Sequence, residues 1–104
     1  MKESFKATLE VNNVSVELNP FVEEFLARTV IGAASSLRGA GNIESLEFYL
    51  EQGNVRVIVN GNELPLTPFP NDIIANTLVG LISSLKGVDK VESFKVSVRV
   101  SSPL

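Results

Sequence analysis

A segment of 33 residues occurs twice in this chain, 48 residues apart and without a gap. LNPFVEEFLARTVIGAASSLRGAGNIESLEFYL from Leu18 overlies LTPFPNDIIANTLVGLISSLKGVDKVESFKVSV from Leu66, with twelve identities. Other positions are conservative, such as Arg38 against Lys86 and Val30 against Leu78. A weaker correspondence extends upstream, where Val11-Asn12 meets Val59-Asn60. A unit of about 48 residues is too short to hold a stable core alone, and two are too few for a solenoid. The chain therefore reads as one domain over residues 1–104, built from units at about 4–51 and 52–100 that pack face to face about a pseudo-twofold axis.

Each unit follows one order. A strand opens it: FKATLEV from Phe5 alternates apolar and polar residues, as does VRVIVN from Val55. Asn12-Asn13 and Asn60-Gly61 tolerate the positive φ of a tight hairpin. A short second strand follows, VSVEL from Val14 and ELPL from Glu63; Pro65 lacks an amide donor, so that strand is expected to be an edge or only an extended segment. Asn19 and Thr67 are N-caps, with Pro20 and Pro68 at the first helical position. Val22, Leu26, Val30, Ala33 and Leu37 recur at helical spacing, as do Ile74, Leu78, Leu81 and Leu85. Pro70 fits only a first turn, which moves the expected start of the second helix toward Asn71. SSLRG and SSLKG then read as the closing turn of one helix in both units, the base meeting the negative end of the dipole and Gly taking the left-handed position. A phosphate loop would need its glycines before a helix, not after it. IESLEFYLE and VESFKVSVRV close the units as strands, and EQGN from Glu51 joins them as a hairpin.

The expected fold is thus α+β: a two-layer, ferredoxin-like sandwich made by a tandem ββαβ duplication, both helices on one face of an antiparallel-rich sheet. Were the short second strands to pair fully, the closer analogy would be duplicated strand-helix-strand-strand barrels, which take ligands in the cleft between halves. Either label concerns fold and carries no function with it.

Composition excludes several chemistries. The chain has no Cys and no His, which removes disulfides, thiolates, the usual zinc sites and imidazole bases. Its apolar runs are too short to span a bilayer, and MKESFKATLE lacks the apolar stretch of a signal peptide, so a cytoplasmic protein is expected. The net charge of −3 disfavours a nucleic-acid backbone as partner. Lys86, Lys90, Lys95 and Arg99 give the second half a mild basic bias, without aromatic stacking partners beside them. No loop has metal-ligand spacing, and no cofactor is expected.

Few residues remain as candidates. Thr29 and Thr77 stand at equivalent helix positions and are candidate lining of a cleft between the halves. Gly32 and Gly80, also equivalent, read as close-packing positions, because a helical glycine costs about 1 kcal/mol relative to Ala and wants a packing reason. The paired serines at Ser35, Ser36, Ser83 and Ser84 read as solvent-facing or bonded one turn back. Glu44 and Glu92 would do acid–base work only if they met across the pseudo-axis; their place at strand starts points to exposed ends. ELPLTPFPND reads as a stiff connection into the second helix, with Asp72 as dipole partner.

The polar faces of the closing strands carry opposite charge at equivalent positions, Glu47 against Lys95 and Glu51 against Arg99, with the single Tyr49 among them. That face is either an ordinary solvated surface or an interface with electrostatic complementarity anchored by Tyr49. The reading that follows is a non-enzymatic interaction module, a homo-oligomer that self-associates through a sheet face or edge. The alternative is a small-molecule-binding domain with a pocket between the two pseudo-symmetric halves.

Overall fold

The computed structural model describes residues 4–101. Along them run β1 (Ser4–Val11), β2 (Val14–Val16), α1 (Pro20–Ser35), β3 (Ser45–Glu51), β4 (Asn54–Val59), β5 (Asn62–Leu64), α2 (Pro68–Ser83) and β6 (Ser93–Ser101). The fold is α+β, the described residues forming two helices and one six-stranded sheet in the order β2-β1-β6-β3-β4-β5. Every pairing is antiparallel. The bounds of α2 and β5 are those of α1 and β2 advanced by 48 residues.

Three tight turns build the hairpins. Asn12 and Asn13 (φ 51° and 67°), Gln52 and Gly53 (51° and 78°), and Asn60 and Gly61 (52° and 84°) each place two successive residues at positive φ. This is the type I′ geometry whose twist suits antiparallel strands. The short strands do pair, for three residues each, and they sit at the two edges of an open sheet that does not close into a barrel. Pro65 falls one residue past β5 and interrupts no ladder bond.

The closing strands β3 and β6 form the centre of the sheet and pair with each other. Each also pairs with the opening strand of the other unit, β6 with β1 and β3 with β4. β1 therefore runs parallel to β3 with β6 between them, and β4 parallel to β6 with β3 between them. Within one unit, the opening and closing strands do not pair.

Alternation along these strands turns one apolar face toward the helices. Leu9, Leu46, Phe48, Val57, Phe94, Val96 and Val98 are buried against Leu26, Ala27, Val30 and Ala34 of α1 and Ile74, Leu78 and Ile82 of α2, in a single core. Leu37 and Leu85, which helical spacing places in the core, lie just past the helix ends and are only partly buried.

Both helix starts follow the proline signal. Asn19 accepts a hydrogen bond from the Val22 amide at 2.8 Å. Thr67 has the same extended backbone, yet its side chain makes no cap bond, because Pro70 stands where Val22 does and has no N–H to offer. α2 begins at Pro68 rather than near Asn71, with Pro70 inside the first turn, where helix amides lack intrahelical partners anyway. Asp72 consequently falls beyond that first turn. The helix ends also differ from the sequence reading. α1 and α2 stop at Ser35 and Ser83, so Arg38 and Lys86 lie past the last turn, in a further turn that Gly39 (φ 90°) and Gly87 (φ 86°) reverse.

The units are tied by reciprocal clamps. Asn12 Oδ1 accepts the amides of Glu92 and Ser93, and Asn12 Nδ2 donates to the Lys90 carbonyl at 2.7 Å. Asn60 does the same for Glu44, Ser45 and Asn42. A second matched pair satisfies the outer side of the opening strands. β2 covers only Leu9–Val11 of β1, and the buried Ala7 donates its amide to Glu23 of α1 at 2.8 Å. In the other unit Val55 donates to Asn71 of α2, also at 2.8 Å. Carboxylate and carboxamide both serve, since only an acceptor is needed.

Candidate functional site

Two surfaces come into question: the open sheet face and the groove between the helices. On the sheet face, register rather than charge decides what meets. Tyr49 is opposite Lys95 across β3–β6 and opposite Arg56 across β3–β4. Glu47 faces Ser97, Glu51 faces Ser93 and Arg99 faces Ser45. The opposite charges are therefore not direct partners. Instead Lys95 Nζ and the Arg56 guanidinium lie over the Tyr49 ring, 5.5 and 5.6 Å from its centroid, within cation–π range.

The Tyr49 hydroxyl donates to Glu47 Oε1. This bond to a carboxylate is the main reason the Tyr49 phenol is held above its ordinary pKa; partial burial and the Glu47 charge act in the same direction and Lys95 opposes them. Arg56 also bonds Glu63 of β5 through two nitrogens, at 2.9 and 3.2 Å, which lowers the Glu63 pKa. The sequence reading missed Arg56 and Glu63. Alternation places Arg56 on this face, but only the register sets it against Tyr49.

Glu44 and Glu92 are exposed and lie at opposite ends of the β3–β6 pair, so their carboxylates do not meet. Among the described residues, no three acidic side chains gather in a way that could hold a metal ion. No helix among them is long and apolar enough to cross a membrane.

The helix side is of different chemistry. The C-terminal half of α1 lies beside the N-terminal half of α2 and the reverse, so the helices are antiparallel neighbours with a groove between them. Its larger pocket, about 300 Å³, is walled by Thr29, Ala33 and Ser36 on one side and Phe69, Ile73 and Thr77 on the other. The structure thus brings Thr29 and Thr77 into one concavity. No charged residue lines it. The Thr29 and Ser36 hydroxyls donate to the carbonyls of Phe25 and Gly32, one turn back, so they turn inward to their own helix. Ser84 does likewise toward Gly80.

Around this groove stand large apolar side chains with little cover. Phe21 and Phe69 are each 73% exposed, and Phe25 and Ile73 are 49% and 48% exposed. They are equivalent pairs in the two units. The Phe21 and Phe25 rings lie 5.8 Å apart. The packing reading of the helical glycines is overturned here. Among the described residues, nothing beyond the neighbouring residues and backbone of its own helix lies within 4 Å of where a Cβ on Gly32 or Gly80 would stand. A sequence signal for this face did exist: Phe21, Phe25, Phe69 and Ile73 fall off the stripe that the buried leucines define.

No protein family, no curated protein and no solved structure matches the chain.

Proposed function

We propose that this chain is a non-enzymatic interaction module that self-associates through its helix face. The observation that carries this reading is the exposure of Phe21, Phe25, Phe69 and Ile73 around an uncharged groove. Large apolar side chains exposed around one groove mark interaction sites, and aromatic side chains are the usual anchors of such interfaces. A 16-residue helix is about 24 Å long and about 10 Å wide. Two side by side offer roughly 500 Å² of projected face, before the relief of exposed side chains is counted, against the about 800 Å² per partner of a standard interface. The sheet face is the weaker candidate because Tyr49, Glu47, Lys95 and Arg56 already engage one another within one chain.

As to fold, we propose that the chain is a tandem ββαβ duplication. Its likeness to ferredoxin-like sandwiches lies in two interlocked split β-α-β units, β1-α1-β3 around β6 and β4-α2-β6 around β3. The common 48-residue offset of helices, edge strands and asparagine clamps supports this.

Sedimentation velocity tests the functional reading. The wild type should be dimeric at micromolar concentration, and Phe21→Glu with Phe69→Glu should make it monomeric. Lys95→Glu with Arg99→Glu should leave it dimeric. Raising salt from low ionic strength to about 1 M should not dissociate it, because an apolar interface is unscreened where a charge-registered one is weakened. A wild-type monomer at high micromolar concentration ends the reading. Dissociation by the Lys95 and Arg99 pair of changes returns the interface to the sheet face.

A second reading, binding of a small apolar molecule between the halves, is favoured by one observation: the uncharged pocket of about 300 Å³ that Thr29 and Thr77 help to line.

A further inference from the structure

The two ends of the interhelical groove should be alike if the units were identical, and they are not. The end under Phe69 and Ile73 holds about 300 Å³, whereas the equivalent end under Phe21 and Phe25 holds about 130 Å³. Two substitutions between the units act in the direction of this difference, one of them being the bulkier Phe25 in the small pocket where Ile73 walls the large one. Ala33 walls the large pocket, and its equivalent, Leu81, walls the small one and fills it with an isopropyl group.

The same position closes a ridge along each helix. On α1, Phe21, Phe25, Thr29 and Ala33 follow at four-residue spacing, the row of side chains that helices most often interdigitate. Bulk falls off along it, from two aromatic rings to a threonine to an alanine. On α2 the ridge reads Phe69, Ile73, Thr77, Leu81 and ends in bulk again. Thr29 is the midpoint between Phe25 and Ala33. Turned about a twofold axis through Thr29, the α1 ridge sets Phe25 against Ala33, large against small, while Thr29 meets its own copy and Phe21 falls opposite Leu37, just past the helix end in the wall of the large pocket. The α2 ridge, treated likewise, sets Ile73 against Leu81. Only α1 therefore seats a large side chain over a small one at this step when met by its own reverse, and an isologous interface requires such self-complementarity.

From this we infer that, in the self-association proposed above and resting on that reading, α1 packs antiparallel on α1 of a second chain, each chain seating its Phe25 over the other's Ala33 and its Phe21–Phe25 ring pair in the other's large pocket. A cavity of about 150 Å³ already holds benzene, so about 300 Å³ suits two rings. The wall carries no charge to repel them, and its Thr29 and Ser36 hydroxyls are bonded to their own helix. Each chain supplies one ring pair and one pocket large enough for it, since Leu81 helps narrow the other to about 130 Å³, so the exchange is complete at two chains. A heterologous filament is not formed.

Sedimentation equilibrium on full-length variants tests this. Ala33→Leu installs the residue that the other unit already carries, so the monomer should fold as before, checked by far-UV circular dichroism and melting. Its dimer dissociation constant should rise at least tenfold. Phe25→Ala should weaken the dimer by a similar factor. The double variant, with a smaller knob over a fuller floor, should recover part of the loss rather than compound it. A wild-type monomer overturns the self-association reading and this inference together. A wild-type dimer that Phe21→Glu with Phe69→Glu dissociates but Ala33→Leu leaves unchanged overturns the inference alone. So does a double variant as weak as the two losses combined. Native mass spectrometry adds a last arm: a small molecule retained by the wild type and lost from Ala33→Leu, with the dimer unaffected, makes that molecule the occupant and overturns the second chain's rings.

Discussion

Tyr49 shows how one side chain acquires its properties from neighbours distant in sequence. Its hydroxyl proton is held by Glu47 while Lys95 and Arg56 border the ring. The phenol should therefore ionise above its ordinary value near 10. The chain has one Tyr and no Trp, so the absorbance rise at 295 nm reports this group alone. Glu47→Gln should bring the titration back toward the ordinary value. Between the unfolded and folded pKa the folded state holds the proton that the unfolded state has lost, so stability falls as pH rises through that window. Gly32 and Gly80 make the opposite kind of case, helical glycines that no close packing among the described residues explains. With open space at both Cβ positions, Gly32→Ala and Gly80→Ala should each stabilise the dilute monomer by about 1 kcal/mol in chemical denaturation.

At the scale of elements, the hairpin asparagines do two jobs at once. Asn12 and Asn60 hold the positive φ of their turns and clamp the segment that feeds the other unit's closing strand. Replacing either by Ala should cost about 1–3 kcal/mol, combining lost hydrogen bonds with a strained turn. Replacement by Gly keeps the turn and loses only the bonds, so it should cost less. Equal losses for Ala and Gly in urea unfolding would assign the whole effect to the clamp. The helices illustrate the limits of an element read alone. Pro70 could mean a late start, yet α2 begins at Pro68, because a proline in the first turn removes an amide that had no partner to lose.

For the whole molecule, the exchange of strands between units governs stability. β3 pairs only with strands of the second unit, and β1 pairs with β6. A peptide of residues 1–51 alone should then be unfolded by circular dichroism, as should residues 52–104. Mixed or co-expressed, they should restore the native spectrum with matched stoichiometry. A separately folded half would mean that the unit can complete its own sheet by other pairings.

The sequence by itself determined the local architecture: the repeat and its 48-residue offset, the order of strands and helices, the tight turns and most of the core. These follow from φ preferences, capping and the periods of 2 and 3.6, all of which act over a few residues. Only the tertiary structure decided that the closing strands share the centre of the sheet and that Tyr49 lies between Lys95 and Arg56. It alone decided that Ala33 walls a pocket that is narrower where Leu81 stands at the equivalent place. Register and the juxtaposition of two helices depend on contacts between residues far apart in the chain. Alternation says which face a residue occupies and is silent about what stands across from it.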